Sequence, residues 1–286
     1  ISGTSVSESG TTDTFTVVLG AQPTNNVVIA ITSSDTGEAT VNSPLTFTSA
    51  NWNTPQTVTV TGVDDNIIDG TITSTLTISV VDAVSDDDFD GVANQTVSAT
   101  TTDNDVAGFT IVQSSGSTSV SEAGTTDTFT VVLNAQPASD VVLSVTSGDT
   151  GEATVSTGTL TFTSGNWNTA QTVTVTGIDD NIIDGTITST ITLSVVDAVT
   201  DDNFDAVADQ TVSATTTDND TAGFTITETG GSTAVAETGS TDTFAVVLTA
   251  QPSSDVVLAV TSGDTGEAVV NGSTGSNNIL TFTSGN

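Results

Sequence analysis

Along this chain apolar residues alternate with Thr and Ser, and the whole pattern returns after 114 or 115 residues. Phe15 recurs as Phe129 and Phe244, Trp52 as Trp167, and Asp103 as Asp218. A period of two puts successive side chains on opposite faces, which suits strands with one buried and one wet face. Phe129, Val131 and Leu133 share a face, while Thr128 and Thr130 take the other. Val173 and Val175 alternate with Thr172, Thr174 and Thr176 in the same manner. Thr is β-branched, so it favours a strand while keeping the outer face polar. No stretch carries a helical period, and Gly, Asn, Asp and Pro interrupt at short intervals. The fold class predicted is all-β: tandem immunoglobulin-like antiparallel β-sandwich repeats of about 115 residues.

The 286 residues then divide into 1–105 (repeat 1, its first strand missing or partial), 106–220 (repeat 2) and 221–286 (repeat 3, truncated). Such a division reads as a piece of a longer array. Repeat 2 is expected to hold seven strands, at 108–113 with 117–121, 126–135, 140–147, 159–163, 171–178, 186–197 and 210–217. We name them A to G. Consecutive antiparallel strands reverse direction, so loops A–B, C–D and E–F and the exit of G share one end. Those segments hold Glu122 and Asp127, Asp149 and Glu152, Asp179, Asp180 and Asp184, and Asp218 and Asp220. Four separate segments thus bring carboxylates to one tip. The opposite end carries Pro137, Trp167 (read as a cap on the core) and the acidic F–G loop with Asp201, Asp202 and Asp205. Only Val106 and Ala107 separate Asp105 from Gly108, so the acidic tip of one repeat should abut the F–G loop of the next.

The charge of the chain makes that tip chemically demanding. It has 35 Asp and Glu residues, no Lys, Arg or His, and a net charge of -35. Carboxylates near 4 Å repel by about 1 kcal/mol per pair even in water, and more when buried. The compensation must come from protons or from cations supplied by solvent. Calcium takes six to eight oxygen ligands in irregular geometry, whereas zinc would want the absent His or Cys. Ca2+ is therefore the expected cofactor. A salt-adapted acidic surface is the alternative, although it does not explain acids recurring at the same loop positions. Nucleic acid and anionic membranes are poor partners for such a chain, and no apolar run is long enough for direct membrane insertion. With no Cys, disulfides are excluded.

The residues at the tip resemble a known family. Val6-Ser7-Glu8, the loop Asp64-Asp65-Asn66-Ile67-Ile68-Asp69 after a Thr-Val-Thr-Val strand, and the closing Asp103-Asn104-Asp105 are similar to the Calx-β domain. The resemblance extends over all three units. It implies calcium ligands at Glu8, Asp64, Asp65, Asp69, Asp103 and Asp105, at Glu122, Asp179, Asp180, Asp184, Asp218 and Asp220, and at Glu237 in an incomplete third site. Two departures stand out. The family's Asp in the C–D loop has no counterpart, leaving Glu38 and Glu152 as substitutes, and Asn104 and Asn219 occupy the middle of the closing triplet. Fewer ions or weaker binding are expected for that reason. A second acidic run, Asp86-Asp87-Asp88-Phe89-Asp90-Gly91, fits the first half of a helix-loop-helix calcium loop. Val97 stands where that loop needs Glu, and repeat 2 has Asn203 and Ala206 at matching positions, so a solvated or repeat-facing loop is preferred.

Catalysis is not expected. The chain lacks His, Lys, Arg, Cys and Tyr, and acids duplicated in every unit look like repeated ligands. The function expected is a calcium-binding structural region forming a rigid extracellular stalk or fibre of a cell-surface adhesion protein. Two alternatives stand beside it: a subunit of a polymerised filament or surface layer, and an acidic stalk without specific calcium sites. Partners would be neighbouring repeats of the same chain and, in a fibre, identical chains.

Overall fold

A computed structural model describes residues 3–271 and 278–285. The part of repeat 3 between Asn271 and Asn278, with residues 1, 2 and 286, lies outside the described residues. Repeat 1 contains β1 (Thr4–Ser7), β2 (Thr12–Val17), β3 (Val27–Ser33), β4 (Ala39–Val41), β5 (Leu45–Phe47), β6 (Gln56–Gly62), β7 (Ile72–Val80) and β8 (Gln95–Thr102). Repeat 2 contains β9 (Phe109–Gln113), β10 (Thr118–Ser121), β11 (Thr126–Leu133), β12 (Val141–Ser147), β13 (Ala153–Val155), β14 (Thr159–Phe162), β15 (Gln171–Gly177), β16 (Ile187–Val195) and β17 (Gln210–Thr217). In repeat 3, β18 (Phe224–Glu228) pairs with β19 (Phe244–Leu248), and β20 (Val256–Ala259) with β21 (Ile279–Phe282).

In repeats 1 and 2 a five-stranded sheet faces a smaller one. In repeat 2 the orders are β10-β17-β16-β12-β14 and β13-β15-β11-β9; in repeat 1 they are β1-β8-β7-β3-β5 and β2-β6-β4. Alternation fixes the packing. Val173 and Val175 of β15 are fully buried, whereas the alternating Thr172 and Thr174 are not. Phe129, Leu143, Phe162, Ile191 and Leu193 fill the interior of repeat 2 with no exposed surface. Each such side chain contributes roughly 1.5–3 kcal/mol by leaving water, which offsets the ordering of its strand.

Strand A is interrupted as expected, its halves falling in different sheets, and one short strand is added to the seven. Strand A is two strands, because a turn at Ser114–Gly116, with positive φ at Ser115 and Gly116, moves the chain from one sheet to the other. Its first half, β9, pairs antiparallel with β11, and its second half, β10, pairs parallel with β17. A short strand not expected, β13, pairs with β15 ahead of strand D, and the chain then crosses to form D as β14 on β12. The direction of D is unchanged, so the loops still alternate between ends.

The parallel pairing positions the tip. β10 and β17 end side by side, as do β1 and β8, so the residues that follow them emerge together. The Glu122 amide donates to Thr217 O at 3.1 Å, and the Glu8 amide to Thr102 O at 3.1 Å. The neighbouring strand comes unusually close: a Cβ on Gly177 would lie 2.1 Å from Ser121 O, and one on Gly62 the same distance from Ser7 O. Gly is needed there for contact distance, immediately beneath the two glutamates.

Candidate metal centre

At the tip of repeat 2, one carboxylate oxygen each from Glu122, Glu152, Asp180 and Asp184 lie within 4.8 Å of one another. A second group of Glu122, Asp218 and Asp220 meets the same criterion, so Glu122 belongs to both. Repeat 1 repeats the arrangement with Glu8, Glu38 and Asp69 in one group and Glu8, Asp103 and Asp105 in the other. These residues come from four chain segments, as strand parity predicts.

The glutamates are deep. Glu8 and Glu122 are 1% exposed, Glu38 6% and Glu152 7%. Glu122 accepts the Asn219 amide at 3.0 Å, and Glu8 the Asn104 amide at 3.2 Å. Among the described residues, the buried carboxylate oxygens without any hydrogen-bond partner are Oε2 of Glu38 and Glu152 and Oδ2 of Asp105 and Asp220. A buried carboxylate oxygen with no donor is costly, and in native proteins it calls for an explanation.

The proton affinities report the same frustration. Burial, then Asp69, Glu8, Asp35 and Asp65, push Glu38 up to about 7. Burial likewise raises Glu152, with Asp184, Glu122, Asp149 and Asp180 adding to it. Glu8, Asp69, Asp105 and Asp220 are raised by burial first and neighbouring carboxylates next. For Glu122 the Asn219 amide is the largest influence and lowers it, but burial with Asp218, Asp180 and Asp184 leaves it raised. Asp218 is the exception. The amides of Gly185, Asp220 and Asp184 hold it as an anion below its usual range.

Not every expected ligand joins a group. Asp64 Oδ1 accepts Asn104 Nδ2 at 3.0 Å, and Asp179 Oδ1 accepts Asn219 Nδ2 at 2.8 Å. Asp65 Oδ1 accepts the Ile67 amide at 2.7 Å. Asp64, Asp65 and Asp179 lie outside the groups, and Glu237 is exposed and in none of them among the described residues. Asn104 and Asn219 are therefore more than missing ligands, since each orients a glutamate with its amide and an aspartate with its side chain. Glu38 and Glu152, by contrast, sit inside the groups. The signal that marks them is Gly-Glu-Ala-Thr-Val, repeated at residues 37–41 and 151–155 with a fully buried Ala after each glutamate. Asp127 stands apart: it accepts the Ser119 and Thr128 amides and the Ser114 hydroxyl, which ties down the turn in strand A.

The F–G acids do different work. Asp86 is buried and accepts the amides of Thr24 and Asn25, each at 2.7 Å, the Thr24 hydroxyl at 2.8 Å, and the Asp88 amide at 3.1 Å. The Asn25 amide foremost, with the others, lowers its pKa. Asp201 likewise accepts the amides of Ser139 at 2.7 Å and Asn203 at 3.1 Å. Residues 87–89 and 202–204 form single 3-10 turns capped by these carboxylates. The half-match to a helix-loop-helix calcium loop is thus a clasp between two loops.

The loop that carries Asp65 and Asp69 also touches the next repeat. Asn66 O accepts the Gln136 amide at 2.7 Å, Ile67 bridges to Gln136, and Ile68 O accepts Asn203 Nδ2 at 3.1 Å. Ile68 packs against the core of repeat 2. In the following repeat, Asn181 O accepts the Gln251 amide at 2.6 Å and Ile182 bridges to Gln251. The expected meeting of acidic tip and F–G loop is present through Ile68 and Asn203.

No family model and no curated protein matches the chain. Among solved structures it is similar to domains 4 and 5 of the S-layer protein SbsC, at 20% identity over 66% of this chain and 70% of that one, with a TM-score of 0.33. The calcium binding domain CBD12 of CALX1.1 is 13% identical over 68% of this chain and 77% of its own, with a TM-score of 0.30. The apo form of the Calx CBD1 domain is 17% identical, covers 39% of this chain and 98% of its own, and also has a TM-score of 0.30. Likeness at this distance carries no argument about the site, which rests on the residues themselves.

Proposed function

We propose that this chain is a calcium-binding structural region, a run of β-sandwich repeats whose acidic tips take Ca2+ beside the links between repeats. One observation carries the reading: Glu122, Glu152, Asp180 and Asp184 converge within 4.8 Å, in a chain with no basic residue, while Glu152 Oε2 lies buried without a donor. An all-oxygen donor set of mixed Asp and Glu from three separate chain segments suits calcium better than the stricter octahedron of magnesium. Glu122 would serve two adjacent ions, with Glu152, Asp180 and Asp184 on one side and Asp218 and Asp220 on the other. Glu8, Glu38, Asp69, Asp103 and Asp105 would do the same in repeat 1. Bound cations would supply the positive charge that the fold omits.

In repeat 2 the loop places Asp180 and Asp184 on either side of Ile182, which bridges to Gln251, and in repeat 1 it sets Asp69 beside Ile68, which packs on the core of repeat 2, so filling the site would also stiffen the joint. A stiff array of near-identical units, dependent on a cation abundant outside cells, fits an extracellular stalk or fibre of a surface protein. Catalysis forms no part of this reading. The deciding measurement is thermal unfolding with calcium, with chelator, and with sodium chloride at matched ionic strength. Calcium at 100 times its dissociation constant should add about 2.7 kcal/mol per site. If sodium chloride stabilises as much as calcium, the salt-adapted alternative holds and the metal reading fails.

A further inference from the structure

The dipeptide Asp-Gly occurs three times in the chain, and two copies lie in the tip loops as Asp69-Gly70 and Asp184-Gly185. Both glycines hold a left-handed backbone, at φ 75° and 80°, although a Cβ on either would meet nothing within 4 Å. Conformation, not space, keeps larger residues out. The third copy, Asp90-Gly91, has no such backbone and becomes Asp205-Ala206 in repeat 2. At the tip, by contrast, the turn requires the glycine and the carboxylate group includes the aspartate.

That pairing has a chemical consequence. Glycine leaves its own amide nitrogen unshielded, so the nitrogen can attack Cγ of the preceding aspartic acid. An N–C bond forms, the C–O bond of the carboxyl breaks, and its hydroxyl departs with the amide proton as water. The five-membered succinimide then takes up water at either carbonyl. Opening at Cγ restores aspartate. Opening at the main-chain carbonyl routes the backbone through Cβ and Cγ and leaves isoaspartate. No oxidant or partner is consumed, and Asp69 and Asp184 are both exposed to water.

The fold holds the nucleophile back. The Gly185 amide donates to Asp218 Oδ2 at 2.9 Å, and the Asp184 amide donates to the same oxygen at 3.1 Å. In repeat 1 the Gly70 amide donates to Asp103 Oδ2 at 2.9 Å. The two acceptors are themselves anchored, since Oδ1 of Asp218 takes the Asp220 amide and Oδ1 of Asp103 the Asp105 amide, each at 2.6 Å. A nitrogen whose proton is bound to one carboxylate is turned away from its own aspartate, so attack waits for the loop to open. Residues 64–75 and 179–190 are identical in sequence, which leaves the fold as the source of any difference in rate between the two sites.

We propose that Asp69-Gly70 and Asp184-Gly185 are sites of spontaneous conversion to isoaspartate, held latent by Asp103 and Asp218. Each opening of a tip gives the reaction its chance, and the added backbone methylene withdraws one acid from its group permanently. The guard consists of protein groups alone and holds with or without a cation.

Warm incubation at neutral pH in chelator, followed by peptide mapping, reads isoaspartate at each site. A synthetic peptide of residues 179–190 supplies the unguarded rate. Both sites of the wild type should convert at least about tenfold more slowly than the peptide. Asp218→Ala should bring residue 184 to the peptide rate while residue 69 stays slow, and Asp103→Ala should do the reverse. Asp220→Ala removes a neighbouring acid but keeps the Asp218 side chain, so residue 184 should stay slow. The main melting transition shows that each variant is folded, and the two repeats give independent readings. The proposal is overturned if the wild-type sites convert as fast as the peptide, if Asp218→Ala and Asp103→Ala leave their sites slow, or if Asp220→Ala speeds residue 184 as much as Asp218→Ala does. Because every arm runs in chelator, the outcome is separate from that of the metal reading.

Discussion

Glu152 is worth following alone, because its unpartnered oxygen makes opposite demands in the presence and absence of a cation. Glu152→Gln should raise the melting temperature in chelator, where it removes one of several repelling charges, and blunt the stabilisation by calcium. Calorimetry in both buffers checks the sign reversal. Glu38 sets the pH dependence. Its pKa in the fold is about 7 against 4.5 in a free side chain, so the folded state holds that proton more tightly. The stability it contributes is full below pH 4.5 and is lost as the pH rises through 7. In chelator the melting temperature should therefore fall over that window; in saturating calcium the trend should reverse, because protons then compete for the same oxygens. Melting curves at four pH values with each additive test this. Asp201 answers differently: Asp201→Ala strands the Ser139 and Asn203 amides and should cost about 1–3 kcal/mol, with calcium titration unchanged. The choice of Asp180 over Asp179 was not legible in the sequence, since it turns on the Asn219 side chain, 40 residues downstream, engaging Asp179.

At the scale of strands, the convergence of the acids was legible because it depends only on strand count and alternation. Both survive small errors in boundary. What escaped was local. β13 is three residues, Ala153–Val155, between a Gly-Glu turn and a Ser-Thr-Gly turn, too short for a period of two to declare itself. The parallel pairing of β10 with β17 joins residues nearly a hundred positions apart through Thr-Ser-Val-Ser, a segment with one large apolar residue. Gly177 follows from that pairing. A Gly177→Ala variant must push β10 away from β15 and should cost about 1–3 kcal/mol. Because Glu122 follows β10 directly, calcium affinity should fall with it, which a titration monitored by calorimetry would register.

For the molecule as a whole, the useful variable is whether repeats 1 and 2 behave as one unit. Ile68 belongs to the chain of repeat 1 and to the core of repeat 2. Ile68→Asp should remove roughly 1–3 kcal/mol of coupling while leaving every carboxylate in place. The expected result is two separated melting transitions where calcium-loaded wild type shows one, with an unchanged number of bound ions. A single transition in the variant would place the coupling elsewhere.

The parallel β10–β17 pair has one more consequence, for a chain held under tension. Both strands run towards the tip, and β10 enters from the side of the preceding repeat while β17 leaves towards the next. A pull along the array drags them in opposite senses along their common axis. The rungs from Thr118 opposite Ala214 to Ser121 opposite Thr217 then carry the load together in shear, where a hairpin would open one rung at a time.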